Sequence, residues 1–310
     1  MEVKRIWDKA PHNAFTDLIR FKDKFFCAFR EGQKHMGDVG IVRVIMSEDG
    51  EQWRSVAELA MEGKDLRDAK LSITPTGELM LNTCMVLFQN TNTDAHSLAY
   101  FSSDGFTWSK ATAIGQPQYW LWRTDWHKGV GYSIGYSCGS NRHVRLYKTN
   151  DGKHYDVLVE TLFDQCGPSE YALVFLEDDT CLCLLRRDEP VESGKDNGLL
   201  GKALPPYTDW EWQDLGVKIG GPDMIQLPDG RIMAAVRKLK DNSVKEWWLQ
   251  WTELCWVDID KAELTPYLKL PSGGDSSYPG LIRFEGQLWV SYYSSHEEKT
   301  AIYLAKVEIN

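Results

Sequence analysis

Ser47-Glu-Asp49-Gly50-Glu-Gln-Trp53 returns as Ser102-Ser-Asp104-Gly105-Phe-Thr-Trp108 and again as Thr149-Asn-Asp151-Gly152-Lys-His-Tyr155. In each copy Asp-Gly forms a tight turn, because Gly accepts positive φ and Asp bonds its own backbone. The Ser or Thr hydroxyl ties the loop down, and the aromatic residue is left to pack between neighbouring units. Tyr207-Thr-Asp209-Trp210-Glu-Trp212 reads as a decayed fourth copy. The turns keep step with a longer repeat: a polar residue, an apolar strand, a tight turn and a second apolar strand. It starts at Asp17, Asp68, Thr124, Glu170, Pro222 and Tyr278. A period of about fifty residues with turn signals between short strands fits one four-stranded propeller blade. No stretch has helical periodicity, and no Gly- or Pro-rich linker divides the chain. The expected fold is therefore all-β, a six-bladed β-propeller of four-stranded antiparallel blades, one domain over residues 1–310. Val3-Lys-Arg-Ile-Trp7 is expected to supply the outer strand of the last blade beside Ala301-Ile-Tyr-Leu-Ala305, which removes a free sheet edge.

Composition narrows the function. The 310 residues carry 45 acidic against 35 basic side chains, a net charge of −10. This argues against nucleic acid, which needs a basic footprint, and against an anionic membrane surface. No apolar run is long enough for a membrane span, and no apolar signal core follows Met1. The seven Cys are odd in number and sit mostly within strand-like runs, so free buried thiols and a cytoplasmic location are expected. The seven His are scattered without metal-ligand spacing, and there is no phosphate loop or nucleophile elbow. No metal or cofactor is expected. Aromatic residues make up 12% of the chain, with 13 Trp, a surplus suited both to strands and to stacking on sugars.

Blade topology locates a site. Strands alternate in direction, so the start of strand one, the end of strand two and the loop that follows share one face. Strand-one starts place Asp17, Asp68, Glu170, Asp223 and Tyr278 there, with Arg67 and Arg123 just before. Strand-two ends add Arg30, Arg186, Arg187 and Arg237, the next loop adds His35, and Trp120, Trp122 and Trp126 lie nearby. The Asp-Gly turns fall on the opposite face and read as structural.

The three turns resemble the Asp boxes of the sialidase superfamily, one residue shorter between Asp and Gly than the commonest form. The resemblance covers nearly the whole chain. Gly167-Pro-Ser-Glu170 with Arg186 sixteen residues on is similar to the sialidase Glu and second Arg. Ser276-Ser-Tyr278-Pro-Gly-Leu281 is similar to the segment that carries the nucleophilic Tyr. Arg30-Glu-Gly32 through Arg43 to the first turn resembles the stretch with the acid/base Asp, although His35 stands at that position. The first substrate Arg, expected near Ala14-Phe15-Thr16, is absent, and the third has only Arg237 or Lys245 nearby. The resemblance implies an exo-acting glycoside hydrolase on an acidic or small glycan. Tyr278, Glu170 and His35 would be catalytic, and Arg30, Arg67, Asp68, Arg123, Arg186, Arg187, Asp17, Asp223, Arg237 and Trp122 would bind substrate.

A Tyr nucleophile is the known departure from two-carboxylate glycoside hydrolysis. A phenol ionises near pH 10, so Tyr278 needs Glu170 as base and Arg186 as a cationic field. Imidazole as a group ionises near neutrality, so a His such as His35 suits protonation of the leaving oxygen. Each residue also has an ordinary reading: a packed turn Tyr, a Glu paired with Arg186 or Arg187, a solvated His. Two other functions use the same residues. A uronic-acid lyase would take His35 or Tyr278 as base and Arg as carboxylate clamp. A non-catalytic carbohydrate-binding propeller would use the Trp-rich mouth alone.

Overall fold

Runs such as Phe25-Phe-Cys-Ala-Phe29 are apolar at every position because both faces of a blade's second strand are covered. In the computed structural model, which describes residues 1–89, 92–188, 196–240 and 249–309, Phe25, Cys27 and Phe29 enter one core cluster while Phe26 and Ala28 enter another. Six antiparallel sheets are formed among the described residues. Blade 1 runs His12–Phe21, Lys24–Gly32, Ile41–Ser47, Arg54–Leu59, and blade 2 runs Asp65–Ile73, Leu79–Gln89, Asn92–Ser102, Thr112–Ala113. In blade 3 the innermost strand is broken into Tyr119–Leu121 and Asp125–His127, both paired with Val130–Ser137. Blades 4, 5 and 6 begin at Pro168–Phe175, Gly220–Gln226 and Ser276–Phe284. Glu2–Trp7 pairs antiparallel with Ala301–Glu308, Val3 opposite Ala305, and completes blade 6. No helix of the described residues is long and apolar enough to cross a membrane. All seven cysteines are free thiols.

The innermost strands are bulged at one equivalent place. Pairing slips between Ala14 and Asp17, Arg67 and Lys70, Pro168 and Tyr171, Gly220 and Asp223, and Ser277 and Gly280. In four of the five the first inserted residue has positive φ: Phe15 62°, Asp68 55°, Gly221 48° and Tyr278 50°. A bulge re-aims a side chain at the cost of local strain, and such strain gathers at functional sites. The innermost strands are sheet edges, and backbone groups along and beside them are met from neighbouring blades. Asp17 Oδ2 accepts the Leu71 N–H at 2.7 Å, Glu170 Oε2 the Gly221 N–H at 2.7 Å and Asp223 Oδ2 the Leu281 N–H at 3.1 Å. Thr16 Oγ1 donates to the Tyr278 carbonyl at 2.7 Å, and Tyr171 Oη to the Arg123 carbonyl at 2.6 Å. The ring is thus joined around its axis by the same strand starts that line its mouth.

The Ser/Thr-x-Asp-Gly turns lock blades from the other face. Asp104 Oδ1 accepts the Phe106 and Thr107 N–H groups at 2.7 and 2.8 Å, and Ser102 Oγ accepts the Gly105 N–H at 2.8 Å. The turns at Asp49 and Asp151 repeat this bonding. Each Gly seats on the second strand of the preceding blade: Gly50 on Trp289, Gly105 on Phe26, Gly152 on Met80. A Cβ at Gly105 would lie 2.4 Å from the Phe26 ring, on a residue with φ of 82°. Gly105→Ala is therefore expected to destabilise the fold by about 2 kcal/mol, combining overpacking with left-handed strain. Urea denaturation monitored by Trp fluorescence checks this, and an unchanged midpoint would remove the locking role of the turn.

Candidate active site

At the mouth, the bulge of blade 6 turns Tyr278 over the axis. Its hydroxyl donates a very short hydrogen bond to Glu170 Oε1 from blade 4. Arg186 Nη1, from the second strand of blade 4, donates to Glu170 Oε2 at 2.6 Å and to Tyr278 Oη at 3.2 Å. Arg186 is itself aimed by Asp188, whose Oδ1 lies 2.6 Å from Nε, and Asp188 Oδ2 accepts the Ser169 hydroxyl at 2.5 Å. The Tyr278 ring is held edge-on by Phe15 at 5.0 Å and by the tilted rings of Trp122 and Tyr293 at 5.4 and 5.7 Å. The Arg237 guanidinium lies 5.2 Å from the ring centroid. Burial, and then the charge of Glu170, push the phenol well above its ordinary value, against the pull of Arg237 and Arg186. Tyr278 is therefore a neutral hydroxyl at rest, with its proton already directed at a carboxylate.

Asp68 occupies the bulge position of blade 2 that Tyr278 occupies in blade 6. It is buried, and its Oδ1 has no hydrogen-bond partner. Desolvation raises its carboxyl to about 6, with Arg67, Lys70 and His35 opposing and Glu170 adding to the rise. Arg67 holds its guanidinium 4.9 Å from the Phe15 centroid and donates to the His35 carbonyl at 2.8 Å. Arg237 makes no hydrogen bond to a described residue and opens on a cleft of about 890 Å³ that His12, His35 and Asp275 also line. Arg142, from a blade 3 loop, has a buried Nε without a partner. Burial alone would raise Asp188, but Arg186, the Ser169 hydroxyl, Arg142 and Arg237 hold it below its ordinary value. Arg186 therefore bridges the Tyr278–Glu170 pair, the charges of Arg237 and Arg67 lie near Tyr278, and Arg142 acts on Asp188 behind them.

Several residues expected to contact substrate are placed elsewhere. Arg30 is 0% exposed: Nε bonds Asp65 at 2.6 Å, Nη2 bonds Asp38 at 2.7 Å and Nη1 bonds the Lys34 carbonyl at 2.9 Å. It braces the 33–40 loop. Arg187 points to the opposite side of its strand, where it bonds the Asn197 carbonyl at 2.5 Å and Asp214 at 2.6 Å. The period of two sends consecutive residues to opposite faces, so Arg186 and Arg187 cannot share a site. Arg123, Asp17 and Asp223 lie beneath the mouth as a buried ion cluster on the axis, Arg123 Nη1 close against Asp223 and Nη2 3.8 Å from Asp17. They form the floor of the mouth. Trp122 is fully buried under Tyr278 and offers no stacking face, while Trp120 stacks on Tyr136 and Trp126 bonds Ser72. His35 reaches the mouth, 43% exposed, but its Nδ1 is engaged by Asp275 Oδ2 at 2.6 Å. Lys245 lies outside the described residues.

The residues not foreseen are Phe15, Arg142, Asp188, Tyr293 and the pair His12 and Asp275. Asp188 and Phe15 were open to the same topological reasoning that placed Arg186 and Asp17. Nothing in sequence spacing brings Asp275 to His12 or His35.

No family model and no curated protein matches the chain. Solved structures do. A protein of unknown function from Dyadobacter fermentans is similar with a TM-score of 0.84 at 15% identity, over 100% of this chain and 98% of that one. The alpha-L-arabinanase of Penicillium chrysogenum, solved with arabinobiose, is similar with a TM-score of 0.71 at 13% identity, over 99% and 98%. Trypanosoma rangeli sialidase is similar with a TM-score of 0.72 at 11% identity, over 96% of this chain and 55% of its own, so the chain spans about half of that enzyme. At these identities the likeness is one of fold: a six-bladed propeller of the kind that these proteins share.

Proposed function

We propose that the protein is an exo-acting glycoside hydrolase of sialidase type that cleaves an acidic sugar from a chain end. The observation that carries this is the Tyr278 hydroxyl bonded to Glu170, with Arg186 bridging both. An ordinary packed Tyr has no need of a base and a cation on the same oxygen. The three Ser/Thr-x-Asp-Gly turns, read as Asp boxes, support the same family. The floor made by Arg123, Asp17 and Asp223 closes the mouth from below, which favours a terminal residue over a threaded chain. Arg237, which opens on the cleft without a hydrogen bond to a described residue, and Arg142, whose buried Nε has no partner, favour an anionic group on the sugar.

In this reading Tyr278 Oη attacks the anomeric carbon while its proton passes to Glu170. The bond to the aglycone oxygen breaks, and that oxygen takes a proton from Asp68. Water then attacks the glycosyl–tyrosine, giving its proton to the Asp68 carboxylate, and Tyr278 recovers its own from Glu170. Asp68 replaces His35 as proton donor because its carboxyl, raised to about 6, is partly protonated in mildly acidic solution, whereas His35 is turned onto Asp275. The test is turnover of aryl glycosides bearing acidic and neutral sugars. Aryl alcohol release from the acidic set, with Arg237→Met raising KM about tenfold or more, is the expected outcome. Near-ultraviolet absorbance from an unsaturated product would identify a lyase instead. Glycan binding without any cleavage would leave only a binding propeller.

A further inference from the structure

Beside the mouth, two imidazoles and one carboxylate converge from three distant parts of the chain. His12 opens the innermost strand of blade 1, His35 lies on the loop after its second strand, and Asp275 precedes the innermost strand of blade 6. His12 Nε2 is 2.9 Å and His35 Nδ1 2.6 Å from the same oxygen, Asp275 Oδ2. The three donor atoms lie within 4.8 Å of one another. We infer that His12, His35 and Asp275 form a binding site for a divalent transition-metal ion of the zinc class.

Two imidazoles and a carboxylate are a borderline donor set, suited to zinc, cobalt or nickel and poorly suited to calcium or magnesium, which take oxygen. An ion at about 2.0–2.1 Å from each donor would take the place of the two ring protons now shared with Asp275, with a small outward shift of the rings. The tautomers allow it. His12 Nδ1 has no protein partner, so its proton can reside there and leave Nε2 bare. His35 is 43% exposed, so its Nε2 can keep its proton in water. The surroundings hold the donors in place. The Tyr293 hydroxyl donates to Asp275 Oδ1 at 2.7 Å and Ser295 Oγ to the Asp275 carbonyl at 3.0 Å. The Phe15 ring stands edge-on to His35 at 5.2 Å. Such outer contacts orient ligands at metal centres.

The fourth side faces the cleft of about 890 Å³, which Arg237 also lines. Three protein donors with one open position are the pattern of a metal that binds an exogenous ligand, here water or an anionic oxygen also in reach of Arg237. The site is separate from the Tyr278–Glu170 pair, and its existence does not rest on the proposed hydrolysis.

The test uses the chelator-stripped full chain, titrated with Zn²⁺ by calorimetry and with Co²⁺ by visible absorption. One equivalent should bind, and Co²⁺ should give the intense bands of a low-coordinate site. His35→Ala, at an exposed residue whose loss should leave the fold intact, should weaken binding by about a hundredfold or more, and Asp275→Asn by a similar factor. Thermal melts of each variant without metal separate lost ligands from lost structure. Absence of saturable binding by the wild type, or equal binding by folded His35→Ala, would overturn the site.

Discussion

Tyr278→Phe is expected to lower kcat by about a thousandfold or more, with KM changed by less than about threefold. Only the hydroxyl is removed, so the contacts of the ring with Phe15, Trp122 and Tyr293 persist and the mouth keeps its shape. Glu170 retains Arg186 and the Gly221 N–H, so no carboxylate is stranded. The melting temperature should therefore stay within a few degrees, and the lost rate reports chemistry. Glu170→Gln should share the defect, because the phenol, held well above its ordinary value by burial, cannot ionise without a base. Steady-state assays with the best acidic aryl glycoside, beside circular dichroism melts, decide it. Phe at 278 with activity within tenfold of the wild type would remove Tyr278 as nucleophile.

Asp68→Asn should make the protein more stable and less active at once. The folded carboxyl sits at about 6 against an ordinary 3.8, raised chiefly by desolvation. A group raised on folding adds stability that is fully present below its unfolded value and is lost as pH rises through its folded value. The wild type should therefore lose about 2 kcal/mol between pH 4 and pH 7 from this residue alone. Asn carries no such loss, and since Asp68 Oδ1 has no partner, little bonding is given up. The variant should melt higher than the wild type at pH 7.5 and about equally at pH 4. Its turnover should fall by about 10²–10⁴-fold on poor leaving groups and much less on strongly acidic phenols, which leave without protonation. The wild-type rate should decline as pH rises through about 6. Equal melting temperatures at pH 7.5 would show that Asp68 carries no raised carboxyl, and an unchanged rate on poor leaving groups would remove it as donor.

How much was legible beforehand follows from the reach of each signal. The blade repeat is local: strand, turn and strand recur within about fifty residues, and Asp-Gly dictates its turn without outside help. Hence the six blades, their four strands and the face carrying Glu170, Arg186 and Tyr278 could be read directly. The same reasoning set Arg186 and Arg187 together, although the alternation of a strand sends one into the mouth and the other to Asp214. It set Arg30 at the mouth because its strand ends there, but Asp38 and Asp65 claim its guanidinium. Asp17, Arg123 and Asp223 are strand-one starts like Tyr278, yet they lie deeper and pair with one another across the axis.

The amino-acid sequence alone determined the all-β propeller architecture, the blade number and the face of the candidate site, because hydrophobic period and turn chemistry act between near neighbours. Tertiary structure alone decided which charges are spent on holding the ring and which remain for a ligand. It also raised Asp68 by burial and brought Asp275 to His12 and His35. These outcomes depend on contacts between strand starts of different blades, and ring closure sets such contacts at sequence separations that no local pattern encodes.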